Sequence, residues 1–312
     1  MPELPEVETI VRELKNNRAH IIGARFLDVW TDAEKLIKKP VSFNLFKKGI
    51  KGKKIKDVER RGKNILFRLS GGRTLLVHQK MTGHFLIGRW EKKGNRWGSL
   101  NKGPLSDDPM NSYLHLIFWL DNGKMLALSD LRKFAKAELW GNTDLENSKY
   151  FQELGPEPLN KDFDFKAFSN TLKDKKGKIK QVLMDQGVIA GIGNIYSDEM
   201  LFKARIHPLK EVLHLSLAEK KKLFKAMKEI LILAVRLQGE SFSDFRRTSG
   251  EKGYYDKVRM VYRRTGEKCL RCGTIIKRIK VGGRSAHFCP NCQVNEVKTS
   301  FPPSPTASGL GI

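Results

Sequence analysis

Acidic residues are scarce in this chain: 34 Asp and Glu stand against 59 Lys and Arg in 312 residues, a formal net charge of +25. That imbalance argues against an ordinary neutral surface and for a polyanionic partner, because cations that neutralise phosphates release condensed counterions. Long hydrophobic runs are also missing. None approaches the ~20 apolar residues a membrane span requires, and no basic amphipathic helix with an aromatic face suggests a membrane surface. The opening Met1-Pro2-Glu3-Leu4-Pro5-Glu6 has neither the basic start nor the apolar core of a secretory signal. A cytoplasmic protein without membrane contact is therefore expected. Cysteine is confined to four residues, none before position 269, which excludes a disulfide scaffold spread through the chain. No internal repeat is present.

What is there divides into blocks. Residues 5–14 read as a short helix: Pro5 suits a first helical position, and Val7, Ile10, Val11 and Leu14 share one face. From Ala24 to about Trp140 the pattern is strand-like, with apolar runs at Phe26–Trp30, Asn64–Leu69, Thr74–His78, Leu114–Leu120 and Met125–Leu128. Turn signals at Gly71-Gly72 and Asp121-Asn122-Gly123 separate them, as in a β-sandwich or barrel. Residues 89–112 are polar and read as a long surface insertion. Gly155-Pro156-Glu157-Pro158 marks a boundary, after which helices are expected over Lys178–Gln186, Asn194–Lys203 and Leu215–Gln238. The last segment, Gln293–Ile312, has little to bury and is expected to be disordered.

The cysteines form two C-x2-C pairs, Cys269/Cys272 and Cys289/Cys292, sixteen residues apart. This spacing suits one structural zinc ion. Two disulfides or buried thiols are the alternatives, and the expected reducing compartment favours zinc. Four thiolates leave no open coordination position, so the metal would be structural. Between the pairs, Thr274–Lys280 and Ala286–Phe288 flank Gly282-Gly283, a hairpin turn that puts Arg284 at the tip, where it is either a DNA contact or an ordinary surface arginine.

Taken in order, these motifs carry a resemblance. Met1-Pro2-Glu3-Leu4-Pro5-Glu6-Val7-Glu8-Thr9, Arg60-Arg61-Gly62-Lys63, Met81-Thr82-Gly83, Asp130-Leu131-Arg132-Lys133-Phe134, Leu154–Leu159, Gly191-Ile192-Gly193-Asn194-Ile195-Tyr196 and the cysteine hairpin are similar to bacterial formamidopyrimidine-DNA glycosylases. The likeness spans residues 1–292, apart from the insertion. It implies an α+β, multi-domain fold: a catalytic β-sandwich with an N-terminal helix over 1–150, a helix–two-turn–helix DNA-binding domain over 151–265, and a β-hairpin zinc finger over 266–292. A disordered tail would fill 293–312.

The implied activity is removal of oxidised purines from duplex DNA, followed by cleavage at the abasic site. The implied partner is damaged double-stranded DNA, bound by a monomer. Pro2, freed by removal of Met1, would attack the sugar C1′ as a secondary amine, forming an iminium that acidifies the C2′ proton. Glu3 would be the general acid/base, with Glu6 as a supporting carboxylate or simply a first-turn helix charge. Lys63 and Arg284 would assist at phosphates. Met81, Arg132 and Phe134 would fill the void left by an everted base, although Met81 and Phe134 taken alone would more often be core. Asn194, Lys180 and Tyr255 complete the DNA-binding set. Thr248–Tyr255 resembles a loop that closes over 8-oxoguanine, with Lys252-Gly253 where many relatives carry Pro–Gly. A sibling of the endonuclease VIII type usually lacks Leu4 and the Arg132-x-Phe134 pattern. A non-catalytic zinc-ribbon binder would leave Pro2-Glu3 unexplained.

Overall fold

The computed structural model describes residues 1–16, 19–241 and 244–295. The N-terminal half contains α1 (Leu4–Lys15), β1 (Phe26–Thr31), β2 (Ile37–Lys39), α2 (Phe43–Ile50), β3 (Ile55–Arg61), β4 (Asn64–Leu69), β5 (Arg73–His78), β6 (His84–Gly88), β7 (Trp90–Lys93), β8 (Arg96–Ser99) and α3 (Pro104–Asp107). Then come β9 (Leu114–Leu120), β10 (Met125–Ser129), β11 (Lys136–Gly141), α4 (Asn142–Glu146) and α5 (Lys149–Gln152). The C-terminal half has α6 (Phe165–Leu172), α7 (Ile179–Met184), α8 (Asn194–Ala204), α9 (Leu217–Arg236), β12 (Lys277–Val281) and β13 (Arg284–Phe288).

Two sheets form the sandwich, in strand orders β1-β9-β10-β6 and β2-β11-β5-β4-β3. Successive side chains on a strand point to opposite faces. Leu116, Phe118 and Leu120 of β9 and Ile65, Phe67 and Leu69 of β4 thus enter one shared core. The intervening residues are apolar too, because both outer faces are covered. Ile117, Ala127 and Leu86 pack outward with Trp90 and Trp97 of the β7–β8 hairpin. Leu66 and Leu76 do so with Leu145 of α4 and Phe151 of α5. The polar stretch 89–112 is therefore not a plain surface loop: its hairpin and α3 cover the outer face of a sheet.

Helix α1 belongs to both halves. Val7, Ile10, Val11 and Leu14 enter the sandwich core, whereas Leu4 packs with α7, α8 and α9. In the other direction, Phe245 returns to the sandwich core. The expected helices 178–186 and 215–238 are shorter than anticipated, closing as α7 and α9. The expected disordered tail begins too early. Gln293 is 1% exposed, receives the Cys289 amide on its side chain and donates to the Ile206 carbonyl, so it closes the cysteine module. The remainder of that expectation, 296–312, lies outside the described residues. No described helix is long and apolar enough to cross a membrane.

Phe118 sits fully buried between Phe26 and Phe46, with ring centroids 5.2 and 6.5 Å away. Phe118→Ala is expected to lower the unfolding free energy by about 3–5 kcal/mol in urea titrations. Leu27→Ala, at a half-exposed position of the same sheet, is expected to change it by less than about 0.5 kcal/mol.

Candidate active site and nucleic-acid interface

Pro2 and Glu3 are buried although they open the chain. Glu3 is the N-cap of α1, and it also caps a second helix. Its Oε1 accepts the Ile195 amide at 2.8 Å, and its Oε2 accepts those of Gly193 and Tyr196 at 2.9 and 3.3 Å. These are unpaired donors of the first turn of α8, where a negative charge is also favoured by the helix dipole. The approach needs glycine: a Cβ on Gly193 would overlap the Glu3 carboxyl carbon. The Leu4 amide donates to the Gly191 carbonyl at 2.9 Å and completes the tether.

Glu6 lies one turn on, 1% exposed. It accepts the Glu3 amide at 2.7 Å, the Glu240 amide at 2.8 Å and the Tyr196 hydroxyl. Burial, and then the neighbouring Glu3 charge, push its carboxyl from 4.5 up to about 8, against the pull of those three donors. Lys63 occupies the two-residue turn between β3 and β4 and is 6% exposed. Burial lowers its ammonium pKa; Glu3 and Glu6 oppose the fall and Arg284 adds to it. The four groups thus act on one another across a single site, fed by the N-terminus, a sandwich hairpin and the cysteine hairpin.

Met81 joins two spaces. It lines a small cavity with Pro2, Glu6 and Ile195, and it also lines a cleft of about 400 Å³ with Phe134 and the cations Lys35, Lys38, Lys80 and Lys133. Phe134 is 48% exposed, too much for a core residue. The Arg132 guanidinium stands 4.5 Å from its ring centroid. The loop holding both is built on Asp130, which is fully buried. Asp130 accepts the amides of Phe134 and Ala135 at 2.7 and 2.8 Å and the Thr82 hydroxyl.

Two expected DNA contacts are placed differently. Lys180 is fully buried, with its ammonium on Asp198 at 2.5 Å and on Ser197 at 3.2 Å. The other oxygen of Asp198 accepts the His287 amide at 2.9 Å and faces its Nδ1 at 2.8 Å. Lys180 is thus an internal cation that compensates Asp198, and Asp198 anchors the hairpin bearing Arg284. Tyr255 is 1% exposed and packs edge-on to Tyr196 at 5.2 Å, so it anchors one end of the 248–255 loop. The glycines of that loop serve close packing. A Cβ on Gly253 would overlap the carbonyls of Gln238 and Gly239, and one on Gly250 would stand 2.6 Å from the Asn111 amide nitrogen. Asn194 opens α8 directly after the glycine that faces Glu3. Tyr196, Asp130 and Asp198 are functional neighbours that sequence reasoning misses. Tyr196 and Asp130 fall inside the motifs that carry the resemblance, where a phenol or carboxylate next to apolar residues is the available signal.

The thiols of Cys269, Cys272, Cys289 and Cys292 lie within 4.8 Å of one another, and all four are free cysteines. A tetrahedral zinc with Zn–S bonds of ~2.3 Å needs sulfurs about 3.8 Å apart. Sγ–Sγ separations of 3.4 Å for Cys272–Cys289, 3.4 Å for Cys272–Cys292 and 4.0 Å for Cys269–Cys292 fit that requirement. The residues match one structural zinc ion. One zinc per chain is expected by atomic emission. Cys269→Ser is expected to lower the zinc content and weaken DNA binding, because the hairpin under Arg284 loses its clamp.

The raised Glu6 carboxyl has a signed consequence. A folded pKa above the unfolded one means that protonation favours the fold. The contribution is complete below about pH 4.5 and is lost as the pH rises toward about 8. Across that interval the unfolding free energy should fall more steeply for the native chain than for Glu6→Gln, measured by urea melts in a pH series; parallel curves would refute the assignment.

Family models match each part of the chain: the formamidopyrimidine-DNA glycosylase N-terminal domain over 1–137, the formamidopyrimidine-DNA glycosylase H2TH domain over 154–246, and a zinc finger found in FPG and IleRS over 266–294. The formamidopyrimidine-DNA glycosylase of Herpetosiphon aurantiacus is 38% identical over 294 residues, covering 94% of this chain and all of that protein. That of Heliobacterium modesticaldum is 36% identical over 297 residues, with the same coverage. Among solved structures, a Lactococcus lactis FPG mutant bound to Fapy-dG containing DNA superposes with a TM-score of 0.81 at 35% identity, over 94% of this chain and 100% of that one. The Lactococcus lactis Fpg with abasic site containing DNA gives 0.80, again at 35% identity and with the same coverage. With relatives matching over 94% of its length and a buried N-terminal Pro-Glu pair at the meeting point of its halves, the chain belongs to the formamidopyrimidine-DNA glycosylase family.

Proposed function

We propose that this protein excises oxidised purines from duplex DNA and then cleaves the strand at the abasic site. The observation that carries the reading is the convergence of Pro2, Glu3, Glu6 and Lys63 in one buried site beside Met81. Removal of Met1 frees the prolyl nitrogen, and an α-amino group titrating near ~8 keeps a reactive neutral fraction. The nitrogen lone pair attacks C1′, the glycosidic bond breaks, and the base leaves with a proton. Ring opening, aided by a proton to the sugar oxygen, gives an iminium. Loss of the C2′ proton from that cation expels the 3′ phosphate, and a second elimination expels the 5′ phosphate. Glu3 is oriented for proton transfer by the α8 amides, and Glu6 keeps Glu3 and the N-terminal turn in place.

Lys63, Arg284 and Asn194 are assigned to phosphates around the lesion, consistent with the net charge of +25. Met81, Arg132 and Phe134 are assigned to the gap left by the everted base, for which the exposed aromatic ring and its stacked guanidinium are suited. A monomer suffices, since every grouped residue comes from one chain. A four-cysteine zinc cluster suits the cytoplasm, where its thiols stay reduced for the metal.

Borohydride reduction of a mixture with abasic-site DNA should yield a covalent adduct with the Met1-processed protein. Retention of Met1 or acetylation of the N-terminus should reduce the adduct by about 100-fold or more while duplex binding persists. Normal trapping by a protein shown by mass spectrometry to retain Met1 would exclude Pro2 as the nucleophile.

A further inference from the structure

Segment 103–112 touches the stretch 246–252, which overlaps the loop expected from the resemblance to close over 8-oxoguanine, and the strand end that leads into the loop of Arg132 and Phe134. Asp108 grips Arg246 with both oxygens, Nε to Oδ2 at 2.6 Å and Nη2 to Oδ1 at 3.2 Å. Arg246 is 4% exposed, so this charge is held away from water. Asn111, 1% exposed, donates to the Gly250 carbonyl at 3.0 Å and to the Pro104 carbonyl at 2.7 Å. Its Oδ1 faces His84 Nε2 at 3.1 Å. Burial lowers His84 from 6.5 to about 4, so the ring is neutral and bonds Asn111 as an N–H donor.

Between Asp108 and Asn111 the same segment also holds the end of β10, from which the loop of Arg132 and Phe134 departs. The Ser129 hydroxyl donates to the Met110 carbonyl at 2.6 Å, and just beyond the segment the Tyr113 carbonyl accepts the Asp130 amide at 2.8 Å. Two further bonds hold the 246–252 loop to the sandwich: the Ile87 amide to the Thr248 carbonyl, and the Thr248 amide to Glu13, both at 2.9 Å. A cleft of about 760 Å³ lies between the insertion and the loop, walled by Pro109, Met110, Arg246 and Gly250. Asp244 lines this cleft and also the small cavity at Pro2 and Glu6, so the two spaces adjoin.

We propose that residues 103–112 are a strut between the 246–252 loop and the Arg132–Phe134 loop, with Asp108 and Asn111 as positioning residues that hold the former over the everted base. The strut ties base capture to base eversion: the loop that receives the base is fixed to the loop that replaces it. The inference rests on the proposed excision of oxidised purines and adds to it a chain segment outside the catalytic centre. A held loop carries less ordering cost when the base arrives. Its contribution is therefore confined to the step that needs a captured base.

The experiment uses the full-length, zinc-loaded, Met1-processed protein and its Asp108→Asn, Asp108→Glu and Asn111→Ala variants. Single-turnover excision of 8-oxoguanine from duplex is compared with cleavage of the same duplex carrying a preformed abasic site, and hydrogen exchange of residues 247–252 is followed without DNA. Asp108→Asn and Asn111→Ala should slow excision about tenfold or more, change abasic-site cleavage less than about twofold, and speed exchange in the loop. Asp108→Glu should recover part of the excision rate. Unchanged excision overturns the proposal, as does a parallel loss of both reactions with wild-type exchange. Should Asn111→Ala fail to fold, the half-buried Asp108 variants decide the outcome. A native protein that does not excise 8-oxoguanine would instead refute the function, and loop exchange would still report whether the strut holds.

Discussion

The Glu3 carboxylate sits on the first turn of α8, and this contact places the chain's first residues between two independently packed cores. A single capping interaction is worth about 0.5–2 kcal/mol. Here one carboxylate collects three amides, reinforced by the Leu4–Gly191 hydrogen bond and by burial of Leu4 among the C-terminal helices. Chain termini usually fray; this one is fixed at both backbone and side chain. Every other group of the site is arranged around it. Glu6 bonds the Glu3 amide, Tyr196 bonds Glu6 from the same helix that Glu3 caps, and Lys63 faces both carboxylates from a sandwich turn.

Outside the site, several buried cations are matched by fixed partners that belong to other elements: Lys180 with Asp198, Arg246 with Asp108, and Arg60 with Glu8 and Glu157. Removing one partner of such a pair leaves an uncompensated charge, which is far costlier than the pair is stabilising. These contacts therefore fix the relative placement of helices, insertion and hairpin more than they add stability. Lysines left over for solvent, such as Lys35, Lys38 and Lys80 beside Phe134, lie where a polyanion would run.

Local signals were the readable part of the sequence. Helix α1, the runs that became β4 and β9, and the four-cysteine spacing are set by periodicity or spacing within a few residues. Motif resemblance brought Pro2, Glu3, Glu6 and Lys63 to notice, and the fold groups them. The burial of Lys180 and Tyr255 is not legible in the sequence, because it involves Asp198 and Tyr196 through contacts no short window contains. The insertion reads as a solvent loop because its apolar residues are few and scattered, and Trp90, Trp97 and Leu105 are the ones that pack against the sheet. Their partners, Trp30, Trp119 and Ile117, lie on distant strands. Gln293 reads as part of the tail because a lone glutamine gives no sign that both ends of its amide are used internally.

Helix α1 has a temporal consequence. Ribosomes release the N-terminus first, and domains generally fold as they emerge. The sandwich supplies only Val7, Ile10, Val11 and Leu14 with a place to pack. The amides that orient Glu3, and the pocket for Leu4, come from α8 and its preceding turn, made nearly two hundred residues later. A nascent or half-folded chain thus has its first residues without the partners that fix them, and the Pro2-Glu3 geometry exists only once both halves are in place.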